Sequence, residues 1–150
     1  RGGDVQKMTA GSGIIHSEFN PSDKEPVHFL QIWIIPNMLD LRPSYEQKAF
    51  NRKSMTNRLT LLVSPDGHNG SLEIHQDAEI WQILLEENKD TEFAINHSRK
   101  IWIQVAEGSV STNEHLLVAG DGLAVSDEED IIRLRGIDKL SNIIIFNLRA

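Results

Sequence analysis

The chain has 150 residues, no cysteine, and a net charge of −7 from 22 acidic against 15 basic residues. That length suffices for one domain or two small ones without covalent staples, and the missing thiols exclude disulfides, thiolate zinc sites and cysteine nucleophiles. The acidic balance speaks against a nucleic-acid partner, whose phosphates call for a basic face. Lys48, Arg52, Lys53 and Arg58 form the one modest basic stretch and read as a solvated linker. No apolar run approaches the ~20 residues that cross a bilayer as a helix. No hydrophobic leader follows Arg1-Gly2-Gly3-Asp4, so a cytoplasmic protein without a membrane partner is expected. The opening residue is not methionine, which points to processing or to a fragment of something longer.

In chain order, short β-like runs are expected at 14–15, 29–35, 59–63, 72–75, 79–85, 101–105, 116–119, 131–134 and 143–148. They are rich in Ile, Leu, Val and Trp and too short for typical helices. Asn20-Pro21, Asp66-Gly67, Asn69-Gly70, Glu107-Gly108 and Gly120-Asp121-Gly122 separate them and supply turns. Many short strands with glycine and Asn/Asp turns predict an all-β sandwich or barrel. The best helix candidate is a turn or two over 45–50. Between Pro43 and Asn57 the chain turns polar and loses its strand pattern, which suggests a domain boundary there. Trp33, Trp81 and Trp102 sit in apolar runs and are expected in the core.

The sharpest local feature is Met8-Thr9-Ala10-Gly11-Ser12-Gly13-Ile14-Ile15-His16-Ser17-Glu18. Two residues apart, His16 and Glu18 would project from one face of a strand. On the inside of a barrel they would offer one nitrogen and one oxygen to a divalent metal. Two ligands are too few to hold it, and an exposed polar pair on an edge strand is the plainer alternative.

This run, with Gly3-Asp4-Val5-Gln6 ahead of it, resembles the second metal-binding motif of the pirin family. Gln31-Ile32-Trp33-Ile34 and Pro43-x-Tyr45-Glu46-Gln47 are similar to the same family. So are Ser64-Pro65-Asp66-Gly67, Gly70-Ser71-Leu72, His75-Gln76-Asp77 and Trp102-Ile103-Gln104-Val105. The resemblance implies a bicupin: two double-stranded β-helix (jelly-roll) barrels, of which only the first binds metal, through three histidines and a glutamate. On that reading residues 1–50 are the later portion of the first, metal-binding barrel plus a linker, and residues 51–150 are a complete second barrel. His16 and Glu18 would be the last two ligands of one divalent ion, Fe(II) foremost. The family's His-Pro-His motif, which carries the first two, has no counterpart among the histidines at 16, 28, 68, 75, 97 and 115.

The resemblance further implies ring opening of a flavonol, as by a quercetin 2,3-dioxygenase, with Glu18 as the catalytic base for the flavonol hydroxyl proton. With two ligands missing, the chain alone is expected to be inactive. The alternative is a non-catalytic bicupin that binds a protein partner such as a regulator or a metabolic enzyme. An incomplete first barrel leaves open edges. Self-association through that face, or partial disorder of residues 1–35, is therefore expected.

Other patterns carry less. Gly11-Ser12-Gly13 starts like a dinucleotide loop, but His16 stands where the third glycine belongs and no βαβ unit follows. No Gly-x-Ser-x-Gly elbow exists. His75 and Asp77 are expected on an alternating strand, as surface or hydrogen-bonded groups. Asp127-Glu128-Glu129-Asp130 lacks calcium-loop spacing and reads as a solvated turn. His97, Arg99 and Lys100 read as a polar loop.

Overall fold

The computed structural model describes residues 1–96, 98–112, 115–125 and 130–150. His97 and the acidic run 127–129 lie outside the described residues, so the readings made on them are left as they stand. Twelve strands are found among the described residues, with two short 3₁₀ turns, Arg52–Met55 and His68–Gly70. Strands β1 (Asp4–Thr9) and β2 (Ser44–Ala49) form a separate antiparallel pair. The others are β3 (Thr60–Ser64), β4 (Leu72–Glu73), β5 (Ala78–Glu86), β6 (Asp90–Ala94), β7 (Arg99–Glu107), β8 (Ser109–Thr112), β9 (His115–Val118), β10 (Gly122–Val125), β11 (Ile131–Gly136) and β12 (Leu140–Arg149). They build a six-stranded sheet ordered β10-β7-β12-β5-β3-β4 and a four-stranded sheet ordered β6-β11-β8-β9.

The two sheets enclose a core of Ile83, Leu85, Phe93, Ile101, Ile103, Val105, Val110, Leu117, Ile132, Leu134, Ile143 and Ile145. Strand β11 shows how pattern produces this packing. Ile132 and Leu134 point inward, while Arg133 and Arg135 point out to pair with Glu92 at 2.8 Å and Asp90 at 3.3 Å on β6. Such exposed pairs fix register more than they stabilise. Strand β12 differs, because it lies between β5 and β7. Its run Ile143-Ile144-Ile145 is buried on both faces, as a continuous apolar run predicts for a central strand. Ile143 and Ile145 face the inner core. Ile144 joins a second cluster on the outer face with Met55, Leu62, Val63, Leu72, Ile80 and Leu84. Val5, Ile34 and Phe50 pack against that second cluster and so attach the β1–β2 pair to the barrel.

Turns fall where the chain offers residues for them. Gly67 (φ 68°), Asn69 (φ 53°), Gly108 (φ 75°) and Gly120 (φ 97°) all take the left-handed conformation. Gly122 is needed for a different reason: a Cβ there would lie 2.1 Å from the Trp102 indole, which lies over it.

Several expectations are overturned. No strand forms at 14–15 or 29–35; residues 10–43 belong to no sheet. An apolar strand needs backbone partners on its edges, and among the described residues no strand pairs with either segment. The expected helical turn at 45–50 is strand β2, whose partner β1 is some 40 positions away and invisible to local pattern. His75 and Asp77 lie between β4 and β5 rather than on a strand. Of the tryptophans, Trp81 packs against the inner core, edge-on to Phe93 at 6.0 Å, but Trp33 is 87% exposed and Trp102 lies on the outside of β7.

Candidate metal half-site

The β1–β2 pair has two unlike faces. On one, Val5 packs toward the barrel and Lys48 reaches the Gly70 carbonyl and sits 5.3 Å from the Phe50 ring. The strand period of two places Asp4, Gln6 and Met8 on the opposite face, across from Ala49, Gln47 and Tyr45. That second face is polar and aromatic. The Tyr45 hydroxyl donates to Gln47 Oε1 at 2.7 Å, and the Gln47 amide reaches Asp4 Oδ2 at 3.4 Å.

From Thr9 the chain turns sharply, with the Gly13 amide donating to the Ala10 carbonyl at 2.8 Å. Gly11 holds a left-handed conformation (φ 52°), and a Cβ there would stand 2.1 Å from the Leu41 carbonyl oxygen. Only glycine therefore allows the two ends of the 10–43 segment to approach so closely. The turn sends His16, Ser17 and Glu18 back across the face that carries Gln6, Met8 and Tyr45.

Two adjoining shallow hollows result. One, of about 360 Å³, is lined by Gln6, Met8, His16, Ser17, Glu18, Phe19 and Tyr45. The other, about 340 Å³, shares Met8, His16 and Tyr45 and adds Ile14 and Ile15. His16 and Glu18 thus line one hollow, although both are exposed and lie on irregular backbone rather than on a strand. Gln6 and Tyr45, which surround them, had no role assigned from sequence. Recognising 4–9 as a strand would have put Gln6 and Met8 on one face.

The other described histidines are elsewhere. His28 pairs with Glu107 at 3.6 Å, and His68 with Asp66 at 2.5 Å. His75 lies between β4 and β5, and His115 opens β9. Asp66 accepts from both the ring and the backbone amide of His68, which draws its carboxyl down from 3.8 to about 2. Among the described residues no group of three or more His, Asp or Glu is arranged to hold a metal ion. His16 and Glu18 supply one nitrogen and one oxygen, where divalent metals take four to six ligands. The residues present therefore do not complete a metal site.

Two antiparallel-rich sheets packed around one apolar core are the architecture of the cupin class. The chain belongs to the pirin family: the profile of the quercetinase C-terminal cupin domain matches residues 61–148, and the pirin profile matches residues 1–34. It is 39% identical over 146 residues to the quercetin 2,3-dioxygenase of Escherichia coli K12, covering 97% of this chain and 61% of that protein. The crystal structure of the bacterial pirin YhhW from Escherichia coli in complex with nickel(II) superposes with a TM-score of 0.87 at 37% identity. That match covers 98% of this chain and 62% of YhhW. A quercetin 2,3-dioxygenase from Acinetobacter baumannii shares the fold, with a TM-score of 0.70 at 16% identity over 98% of this chain and 56% of that one. The chain thus spans about three fifths of the length of the first curated relative. The cupin fold expected from sequence is the fold found. No helix among the described residues is long and apolar enough to cross a membrane.

Proposed function

We propose that the chain serves in a pirin-type, metal-dependent quercetin dioxygenase, supplying His16 and Glu18 as two ligands of one divalent ion, Fe(II) foremost. The observation that carries this reading is that both side chains line the hollow shared with Gln6 and Tyr45. Its support from outside the chain is the similarity to proteins named for quercetin cleavage and to one crystallised with nickel. When bound, such an ion supplies Lewis acidity toward substrate oxygens.

The chain's own contribution is narrower. The His16 imidazole presents a ring nitrogen, and Glu18 is the base for the hydroxyl proton of a flavonol seated in the hollow. Gln6 and Tyr45 offer hydrogen-bond partners along its wall. With two protein ligands the chain by itself turns over little or no flavonol, and a complete centre needs two further donors. The domain division at residue 50, with 1–50 serving the metal and 51–150 forming the second barrel, belongs to this proposal.

The test uses the whole chain and inorganic metal. Isothermal titration with Fe(II) or Ni(II) should show weak binding that free imidazole strengthens by filling open coordination positions. His16→Ala and Glu18→Gln should each abolish that enhancement. Affinity unchanged in both variants would remove the assignment. A second reading, a non-catalytic bicupin that binds a protein, draws on the incomplete ligand set. It gains if oxygen uptake with quercetin stays at background even in the presence of metal and imidazole.

A further inference from the structure

The two hollows beside His16 share Met8, His16 and Tyr45 and differ in the rest of their lining. Ile14, Ile15 and Pro43 make one largely apolar, whereas Gln6, Ser17 and Glu18 make the other polar. Tyr45 spans both. Its backbone is opposite Met8, and its hydroxyl reaches along β2 to Gln47, the cross-strand partner of Gln6. The phenol oxygen therefore comes to rest at the polar end of the shared wall, on the side of Gln6.

What that oxygen offers a ligand is fixed by its neighbours. A tyrosine hydroxyl has one proton to donate and lone pairs with which to accept. The proton goes to Gln47 Oε1 at 2.7 Å. Gln47 is held in that sense by Asp4, whose Oδ2 accepts from the Gln47 amide at 3.4 Å. Turned over, the carboxamide would set its oxygen against an aspartate oxygen and its amide hydrogens against the phenol oxygen. Tyr45 would then keep its own proton for the hollow. Asp4 thus decides, through Gln47, that Tyr45 meets the hollow with a lone pair. Asp4 and Gln47 line neither hollow, so they act on a ligand only through Tyr45.

An acceptor at the polar end of an aromatic wall, next to an apolar hollow, suits an aromatic ligand that carries a hydroxyl. An ether oxygen in the same place would meet oxygen with oxygen. In the function proposed above Glu18 takes one flavonol hydroxyl, which leaves Tyr45 for a second. We propose that Tyr45 selects polyhydroxylated flavonols by accepting a hydrogen bond from a hydroxyl other than the one presented to Glu18. Asp4 and Gln47 are positioning residues that hold Tyr45 in its accepting state. The proposal rests on the reading of this hollow as a flavonol seat, and it invokes no metal ion.

The test is equilibrium binding to the intact chain with a chelator present. The probes are quercetin and the quercetin ether methylated at every hydroxyl except the one on the central ring. The parent chain should prefer quercetin. Tyr45→Phe should remove about three- to tenfold of that preference, the worth of one neutral hydrogen bond, and leave the affinity for the ether unchanged. Steric exclusion of the methyl groups would persist in Tyr45→Phe and is thereby told apart. Asp4→Asn frees Gln47 to turn over, so it should lower the preference too, although Asp4 lines neither hollow. Far-ultraviolet circular dichroism would verify that both variants remain folded. A preference that survives Tyr45→Phe overturns the proposal, and one that survives Asp4→Asn overturns the positioning role. Equal binding of both probes by the parent chain overturns the selection while leaving the hollow as a flavonol seat. Binding of neither probe removes the seat itself, and the proposal with it.

Discussion

Residues 60–149 and residues 10–43 are built from similar material and end in opposite states. Both contain isoleucine-, leucine- and tryptophan-rich runs with strand periodicity. In the first region each run has a neighbour on its edge and a layer over its face, and Ile83, Ile103, Ile143 and Ile145 are fully buried. In the second, Ile15, Phe19, Trp33, Ile35 and Leu39 are more than four-fifths exposed. Apolar content does not distinguish them; four of the five prolines (Pro21, Pro26, Pro36 and Pro43) lie in the second region, and only the first has pairing partners on its edges. A strand is a relation between two segments, so β-propensity measures fit to a surface that must come from elsewhere.

That comparison can be broken by substituting the same residue in both regions. Ile145→Ala removes a side chain from the inner core and should cost about 2–5 kcal/mol in denaturant unfolding. A cost below that of an ordinary surface change would mean the barrel core is far looser than its burial suggests. Next comes Ser141→Ala. Buried Ser141 donates to the Ser109 carbonyl at 2.7 Å and accepts from the Ser109 amide at 3.2 Å, tying β12 to β8. Its loss should cost about 1–3 kcal/mol, because the buried Ser109 amide loses its side-chain acceptor, while the Ser109 carbonyl keeps the Ile137 amide at 3.1 Å.

The Asp66–His68 contact should appear in the pH dependence. The folded carboxyl is held near 2 instead of 3.8, so its stabilising contribution is present above pH 3.8 and is lost as pH falls toward 2. Melting temperatures measured across that window should decline less steeply for Asp66→Asn than for the parent chain. Parallel declines would remove the contact from the acid response. The smallest effect is expected at Ile35→Ala, the counterpart of the first substitution. With 83% of its surface exposed, it should change the stability of the chain by no more than about 0.5 kcal/mol. A cost as large as that at Ile145 would show that residues 27–35 are packed after all.

The sequence made the barrel legible wherever a strand was strongly apolar and flanked by turn residues. β3, β5, β7, β9 and β11 all fall within two residues of their expected runs, and β12 starts three residues before its own. It did not reveal β1, β2, β6, β8 or β10. These carry polar or small residues such as Asp4-Val5-Gln6, Ser44-Tyr45-Glu46 and Asp90-Thr91-Glu92, and they are strands because their partners hold them in register. The reverse error, expecting strands at 14–15 and 29–35, has the same cause. The candidate site was legible as a residue pair but not as a place. Spacing identified His16 and Glu18 as neighbours, but the wall formed by Gln6, Met8 and Tyr45 depends on a hairpin whose two strands are separated by 34 residues. Gly11 shows the limit most clearly. Its backbone constraint comes from the carbonyl of Leu41, thirty positions on.

The position of β12 has a consequence for synthesis. This strand forms the wall between both apolar clusters and pairs with β5 and β7, which precede it by some 40–60 residues. A chain emerging from the ribosome has made β5 and β7 well before residues 140–149 leave the exit tunnel, at about 5–20 residues per second. For that interval two apolar strands present edges that only β12 can fill. The nascent barrel is therefore exposed to misassembly longest just before its central strand arrives, and conditions that stall translation between residues 107 and 140 should raise aggregation more than stalls placed earlier.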